Sequence, residues 1–449
     1  MTQADTPSEL SLLQKIEDEF SVSAETMRRI MEDFHQEMIR GLAGQPGTLR
    51  MIPTYVDRPT GEEKGTFIGL DLGGTNFRIL ELELQGKGLA AVPSVMHFIL
   101  EKRHIATTGT ELFGFLADSI RKFLDARAIP LDKRLDLGFT FSFPVEQTRI
   151  DSGTLARWTK GFSAEGVIGR DIVALLRNAL AERGLGNITV TALANDTVGT
   201  LVAKCYEDPR CDVGVIIGTG TNACYSEFIF NIPKWKGPPT PTGRMIINTE
   251  WGNFNKLRLS RYDRELDAAT GNPGEQVLEK MVSGMYLGEV VRLIANDFIA
   301  KGLLFSGSAP QAFTQLGGIR SEDVSRIEQD PSADLSDVRL YLETAGVTRF
   351  TAEDRQLLRK ICEIVSLRAA RVSAAALAAV IAKLDPDLLQ DHTVAIDGSM
   401  YEKHPNYSRN MENALHEIFG EKSSRIGLSL TKDGSGKGVA IIAAVASSR

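Results

Sequence analysis

The sequence predicts an α/β protein of two domains, and three observations carry that prediction. Strand-like and helix-like apolar patterns alternate along both halves of the chain. Glycine-containing turns recur at the ends of three apolar strands. The chain has 449 residues, longer than one simple hydrophobic core serves.

Taken in order, Leu10, Leu13, Ile16 and Phe20 fall at helical spacing, as do Met27, Ile30, Met31, Phe34, Met38 and Leu42. Two amphipathic helices are expected there, ended by the glycines of 41–47. A polar connector at 51–65 leads into the first strand, 66–70, and GLDLGGTNFR (69–78) follows. A second strand at 80–84 alternates apolar and acidic residues. Extended chain at 90–100, a helix at 110–126 and a buried strand at 134–143 come next, with Pro144 ending the last. A helix at 169–183 and a short strand at 188–193 precede Asn195-Asp196-Thr197, where another helix starts. The segment 212–230 repeats strand, glycine turn and strand, a weak internal duplication. A proline-rich loop spans 233–243, and helices are expected at 274–304 and 351–384, separated by a polar irregular stretch at 306–337. A strand at 392–396 runs into Asp397-Gly398-Ser399, followed by a helix around 410–419. A last glycine turn, 433–438, precedes the terminal helix.

Composition narrows the function. Hydrophobic residues are 43% and charged residues 24%, an ordinary globular balance, and the net charge is −7 without a sustained basic run. Nucleic-acid binding along a phosphate backbone is not expected. The four cysteines form no CxxC pair, so they read as reduced thiols and not as zinc ligands. The N-terminus is polar and acidic, and the apolar run at 439–446 is too short to span a membrane. A cytoplasmic protein without membrane contact is expected.

Two glycine motifs are decoys. Gly218-Thr219-Gly220-Thr221-Asn222-Ala223 fits a loose dinucleotide fingerprint, but strand, not helix, follows it. Gly434-Ser435-Gly436-Lys437-Gly438 resembles a Walker loop but has Thr431 where the first glycine belongs and no Ser or Thr after Lys437. The turn at Gly73-Gly74-Thr75-Asn76 reads either as a tight hairpin or as a phosphate cradle, because paired glycines let N–H groups converge. Asp71 before it could hold Mg²⁺ through water. Asp196 reads either as a helix cap or as the carboxylate that takes a hydroxyl proton in phosphoryl transfer. Lys160 is either a surface lysine or a charge stabiliser. Asn248, Glu250 and Glu279 supply the donor and acceptor groups that sugar hydroxyls need.

In order, the chain carries MIPTYV (51–56), LDLGGTNFR (70–78), FTFSFP (139–144), WTKGF (158–162) and NDTVGTL (195–201). IIGTGTNACY (216–225), NTEWGNF (248–254), EKMVSGMYLGE (279–289) and DGSMYEKHP (397–405) follow. This set resembles the eukaryotic-type hexokinase/glucokinase family of the actin-like sugar-kinase superfamily. The resemblance implies a two-lobed actin-like (ribonuclease-H-like) ATPase fold with an interlobe cleft. The small lobe would take 57–194 and 436–449, and the large lobe 1–56 and 195–435. It implies ATP-dependent phosphorylation of a hexose, glucose first, at the 6-hydroxyl, the opening step of glycolysis. Asp196 would be the general base and Lys160 would steady negative charge. Ser142, Phe143, Thr159, Lys160, Asn195, Asp196, Asn222, Glu250 and Glu279 would bind the sugar. Asp71, Gly73, Gly74, Thr75, Asn76, Arg78, Gly218, Thr219, Gly220, Thr221, Ser321, Ser325, Gly398 and Ser399 would bind ATP. Mg²⁺ would be held mainly by the nucleotide, with water bridging it to Asp71, and no metal site of the protein's own is expected. A monomer or homodimer would suffice. The chain departs from the family pattern at Ser226-Glu227-Phe228. A hexose sensor or scaffold on the same fold is the alternative. A chaperone-type ATPase lacks the WTKGF and NTEW motifs, and the bacterial repressor-type glucokinases carry a cysteine-rich zinc motif that is absent here.

Overall fold

Two sheets of matching strand order organise the chain, which a computed structural model describes over residues 9–447, except Thr75 and Leu131. The first sheet runs Leu89–Ile99, Asn76–Gly86, Lys64–Leu72, Leu135–Phe141, Ile188–Ala194. The first three strands are antiparallel neighbours and the last two join parallel. The second runs Ile52–Pro53, Arg244–Asn248, Thr221–Phe228, Cys211–Ile217, His392–Asp397, Ile426–Leu430. Its hairpin is likewise antiparallel, and its last two strands are likewise parallel. Beyond the added edge pair Ile52–Pro53, the two sheets share one topology. The duplication seen weakly in the sequence is therefore a duplication of architecture.

Each sheet has its own core, and a third apolar cluster lies between them. That cluster is built on two helices, Asp196–Glu207 and Gly434–Ser447, with Leu80 and Leu82 from one sheet and Ile246 and Ala395 from the other. The helices pack backbone to backbone. A Cβ on Gly438 would stand 1.8 Å from the Gly199 carbonyl oxygen, so only glycine permits the approach.

The glycine-rich 433–438 segment is not a turn before the terminal helix; from Gly434 onward it is that helix's first turns. The polar connector hides a short strand, Ile52–Pro53, paired with Asn248 and Ile247. The stretch 306–337 is not irregular throughout: it forms the helices Gln311–Thr314 and Ser321–Gln329. In the first helix, Glu9–Phe20, Leu12, Ile16 and Phe20 are the buried positions, while Leu10 is 77% exposed. The helix Ala352–Leu384 is long and apolar enough to cross a membrane, which the sequence reading overlooked. Its apolar window is 89% buried within the protein, packed on Ala24–Leu42, Gly284–Ala300 and Tyr407–Phe419.

At the far edge from the glycine turns, His392 is buried between two carboxylates. Its Nδ1 lies 2.8 Å from Asp212 Oδ2 and its Nε2 lies 3.3 Å from Asp385 Oδ2. The hydrogen bond to Asp212 leads in raising the imidazole above its ordinary value of 6.5, against the cost of burial. A raised folded-state value means that the stabilisation is full below about pH 6.5 and fades as pH climbs through the folded-state value. His392→Gln should therefore cost more unfolding free energy near pH 6 than near pH 9 in urea titrations. A pH-independent cost would show that no charged imidazole holds this edge.

Candidate active site

The first glycine turn joins Lys64–Leu72 to Asn76–Gly86 and lies against the end of the neighbouring strand. Lys160 ties the two together. Its ammonium donates to the carbonyls of Gly73 and Ser142, each at 2.8 Å, and lies 5.5 Å from the Phe143 ring centre. Two of its three protons are thus committed to backbone. Phe143 packs edge-on against Trp158 and Phe162, so it is the aromatic floor beneath Lys160. Thr159, in the adjoining loop, accepts the Phe162 N–H at 3.1 Å through its carbonyl. The Ser142 hydroxyl is buried and has no partner among the described protein groups, which fits a ligand hydroxyl. Gly74 is open around its Cα, Asn76 is exposed at the head of its strand, and Thr75 lies outside the described residues.

The Asp196 region resolves one ambiguity. Asn195, not Asp196, caps the helix Asp196–Glu207: its side-chain oxygen accepts the Thr197 N–H at 2.9 Å. Asp196 is the first helical residue, and its Oδ1 accepts from the same N–H at 2.8 Å.

Near it are Glu250, just past the strand Arg244–Asn248, and Glu279, on the helix Val277–Val282. Asn222 donates to Asn248 at 2.8 Å, and both donate to Glu250 Oε1, at 3.3 and 2.8 Å. Burial lifts the Glu250 and Glu279 carboxyls above their ordinary range. The charge of Asp196 adds to both shifts, and that of Glu250 to the shift of Glu279. Lys160 opposes the rise at Glu279. A cluster of buried carboxylates and amides is suited to hydroxyl groups, which supply the donors these acceptors require. Asn248, a sugar-type donor by its residue type, is not among the sugar-binding positions that the resemblance implies. Its signal was the N-x-E spacing at a strand end, which brings it within reach of Glu250.

The second glycine turn is held at the start of the helix Gly284–Ala300. The Gly284 and Met285 N–H groups donate to the carbonyls of Gly218 and Thr219, at 2.8 and 3.1 Å. These satisfy orphan donors of the helix's first turn. Thr221 is a correction to the predicted nucleotide contacts. Its hydroxyl donates to Ile216 O and accepts from Trp251 Nε1, and its N–H donates to Glu279 Oε2, all at 2.9 Å. It builds the turn and has no donor left for a phosphate. The third glycine meets this turn directly. Gly398 has φ 124°, and a Cβ there would stand 2.3 Å from Ile217 O. Ser399 opens the short helix Ser399–Lys403 beside it. The Ser321 hydroxyl donates to Gly284 O, and the Ser325 hydroxyl donates to Lys403 O at 3.3 Å.

Asp71 and Arg78 flank the first turn as an ion pair. Arg78 donates to Asp71 Oδ2 through Nε at 2.9 Å and also contacts Asp433. Burial raises the Asp71 carboxyl, with Arg78 and Ser435 opposing it. Arg78 is therefore engaged by protein carboxylates, which the sequence reading did not anticipate. Among the described residues, no group of three or more His, Cys, Asp or Glu forms a metal site. A polar cavity of about 530 Å³ lies elsewhere, lined by Glu328, Arg359, Glu363 and Arg409 among others, and includes none of these residues.

Two glycine hairpins on duplicated sheets, meeting across a cleft lined with sugar-type acids and amides, define a two-lobed actin-like sugar kinase. Family models described as hexokinase match residues 12–206 and 212–445. Hexokinase-5 of Oryza sativa subsp. japonica is 40% identical, over 97% of this chain and 89% of its own length. Hexokinase-2 of Homo sapiens is 39% identical, over 95% of this chain and 47% of its own length. A solved hexokinase from Schistosoma mansoni, complexed with glucose, superposes with a TM-score of 0.88 at 35% identity, over 98% of this chain and all of that one. The chain belongs to the hexokinase family.

Proposed function

We propose that the protein transfers the γ-phosphoryl group of ATP to the 6-hydroxyl of a hexose, with glucose as the first substrate. The observation that carries this is the placement of Asp196 opposite the Asn222–Asn248–Glu250 network and Glu279. Asn222, Asn248, Glu250 and Glu279 hold sugar hydroxyls from one side, and Ser142 from the other. Asp196 accepts the proton of the attacking hydroxyl. The turns at Gly73–Asn76 and Gly218–Gly220 orient the phosphates, with adenosine beside Gly398, Ser399, Ser321 and Ser325. Glycine backbones without obstructing Cβ atoms fit such a ligand. Mg²⁺ carried by the nucleotide would, when bound, neutralise charge on the phosphoryl oxygens, and Asp71, near the end of the strand before the first glycine turn, would hold it through water. The glucose-complexed relative supports the choice of sugar.

Water must be kept from the phosphoryl group, and closure of the cleft would do this. The Arg157–Glu275 ion pair, 3.2 Å long, joins the loop before Lys160 to the loop before Glu279 and supports such closure. We place the lobe division at 57–194 with 436–449 against the remainder, following the two sheets. Four buried free thiols support a reducing, cytoplasmic setting.

A coupled assay of ADP release over a hexose panel, with a no-sugar control, tests the reading. Sugar-stimulated release, greatest with glucose, is expected. Equal release with and without sugar would sink it.

A further inference from the structure

The segment leading into the terminal helix, with the helix's first turn, is bonded to both halves of the nucleotide clamp. On one side, Ser435 donates through Oγ to Asp71 Oδ2 at 2.7 Å and accepts from Arg78 at 2.8 Å. Asp433 pairs with the same guanidinium. Asp71 and Arg78 flank the first glycine turn. On the other side, the Thr431 N–H donates to Ile396 O, the carbonyl just before Asp397, at 2.8 Å. Asp397 immediately precedes Gly398 in the turn assigned to adenosine. The Ser435 carbonyl also accepts the Thr140 hydroxyl at 3.1 Å. Residues 431–435 thus form a covalent bridge between turns from different sheets, held by charge-assisted bonds at the Asp71–Arg78 end and by a backbone hydrogen bond at the Ile396 end.

We propose that this segment is a strut that sets the spacing of the two nucleotide turns, with Asp433 and Ser435 as positioning residues for ATP. The proposal rests on the kinase reading above. Neither residue contacts the sugar cluster, whose groups come from Ser142, Asn222, Asn248, Glu250 and Glu279. The strut therefore predicts a selective effect: loosening it should disturb nucleotide binding and leave hexose binding intact. Its position at the start of a helix buried between the sheets explains why a small slackening there is felt at both turns.

Asp433→Asn removes the charge facing Arg78, and asparagine tolerates the left-handed φ of 58° at this position. Ser435→Ala removes the hydroxyl and keeps a good helix former. Both full-length variants are assayed with ATP varied at saturating hexose, then with hexose varied at saturating ATP. The expected result is an ATP KM raised about 5- to 10-fold in each, the scale of one hydrogen bond's net contribution, with hexose KM unchanged. A non-hydrolysable ATP analogue in calorimetry should weaken by the same factor. Unchanged ATP KM in both variants, or equal rises in both KM values, would overturn the strut. Wild-type protein without hexose-dependent turnover would instead overturn the kinase reading beneath it.

Discussion

Asp196→Ala is expected to lower turnover by at least about 10²–10⁴-fold, the usual contribution of a general base, while hexose binding persists. The structure makes this a sharp test. The competing explanation of Asp196 is that it caps a helix, and a lost cap costs about 1 kcal/mol of stability without touching chemistry. Here Asn195 already caps the helix and accepts from the Thr197 N–H that Asp196 also reaches. Removing the Asp196 carboxylate leaves that donor satisfied, so unfolding should shift little. A capping residue would show the reverse pattern, with stability lost and turnover kept. Burst-free steady-state turnover and thermal unfolding on the same preparation separate the two. Near-normal turnover in the variant would mean that the base lies elsewhere. A second consequence concerns Glu250 and Glu279, whose raised carboxyls owe part of their shift to the Asp196 charge. Without that charge both should ionise more readily, which favours the sugar-accepting form and explains why binding survives.

What the sequence revealed, and what it hid, divides by the range of the interaction. GLDLGGTNFR could be read because a strand, its turn and its return strand are adjacent in the chain, and so could the hairpin around Gly218. Local pattern alone leaves Asp196 between cap and base, and only the resemblance makes it the base, because the capping residue is its own neighbour and the two share one N–H. For Arg78 a nucleotide contact is implied by the family resemblance alone. Its partner Asp433 is 355 residues away, a pairing no local pattern could disclose. Asn248 was noticed and left out, since its value lies in orienting Glu250 and not in its own position. The strand Ile52–Pro53 was concealed inside a polar connector because two residues show no alternation, and their partner strand is near residue 247. Most instructive is GSGKG. Glycines in series suggest a turn because of their freedom, yet here they are helical and present because of their smallness.

That distinction yields the other large effect. Alanine is the better helix former by about 1 kcal/mol, so Gly438→Ala at an exposed helical site would stabilise the protein. At this site the sign should reverse. The added methyl would lie 1.8 Å from the Gly199 carbonyl oxygen, far inside contact distance, and the obstacle is backbone that cannot swing aside. The helices Asp196–Glu207 and Gly434–Ser447 would have to separate within a fully buried cluster. Overpacking of this kind costs about 1–3 kcal/mol and more where the backbone must move, a large share of the roughly 5–15 kcal/mol that holds a typical domain. Urea unfolding should show the loss directly, and a variant as stable as the wild type would refute the contact. The helix that Gly438 presses against begins with Asp196, so turnover should fall along with stability. Gly199→Ala crowds the same interface from the other side, where its Cβ would meet the Ser435 carbonyl oxygen at 2.6 Å. If both glycines serve one close approach, the double variant should cost less than the sum of the singles, because helices already parted by one methyl admit the second more easily.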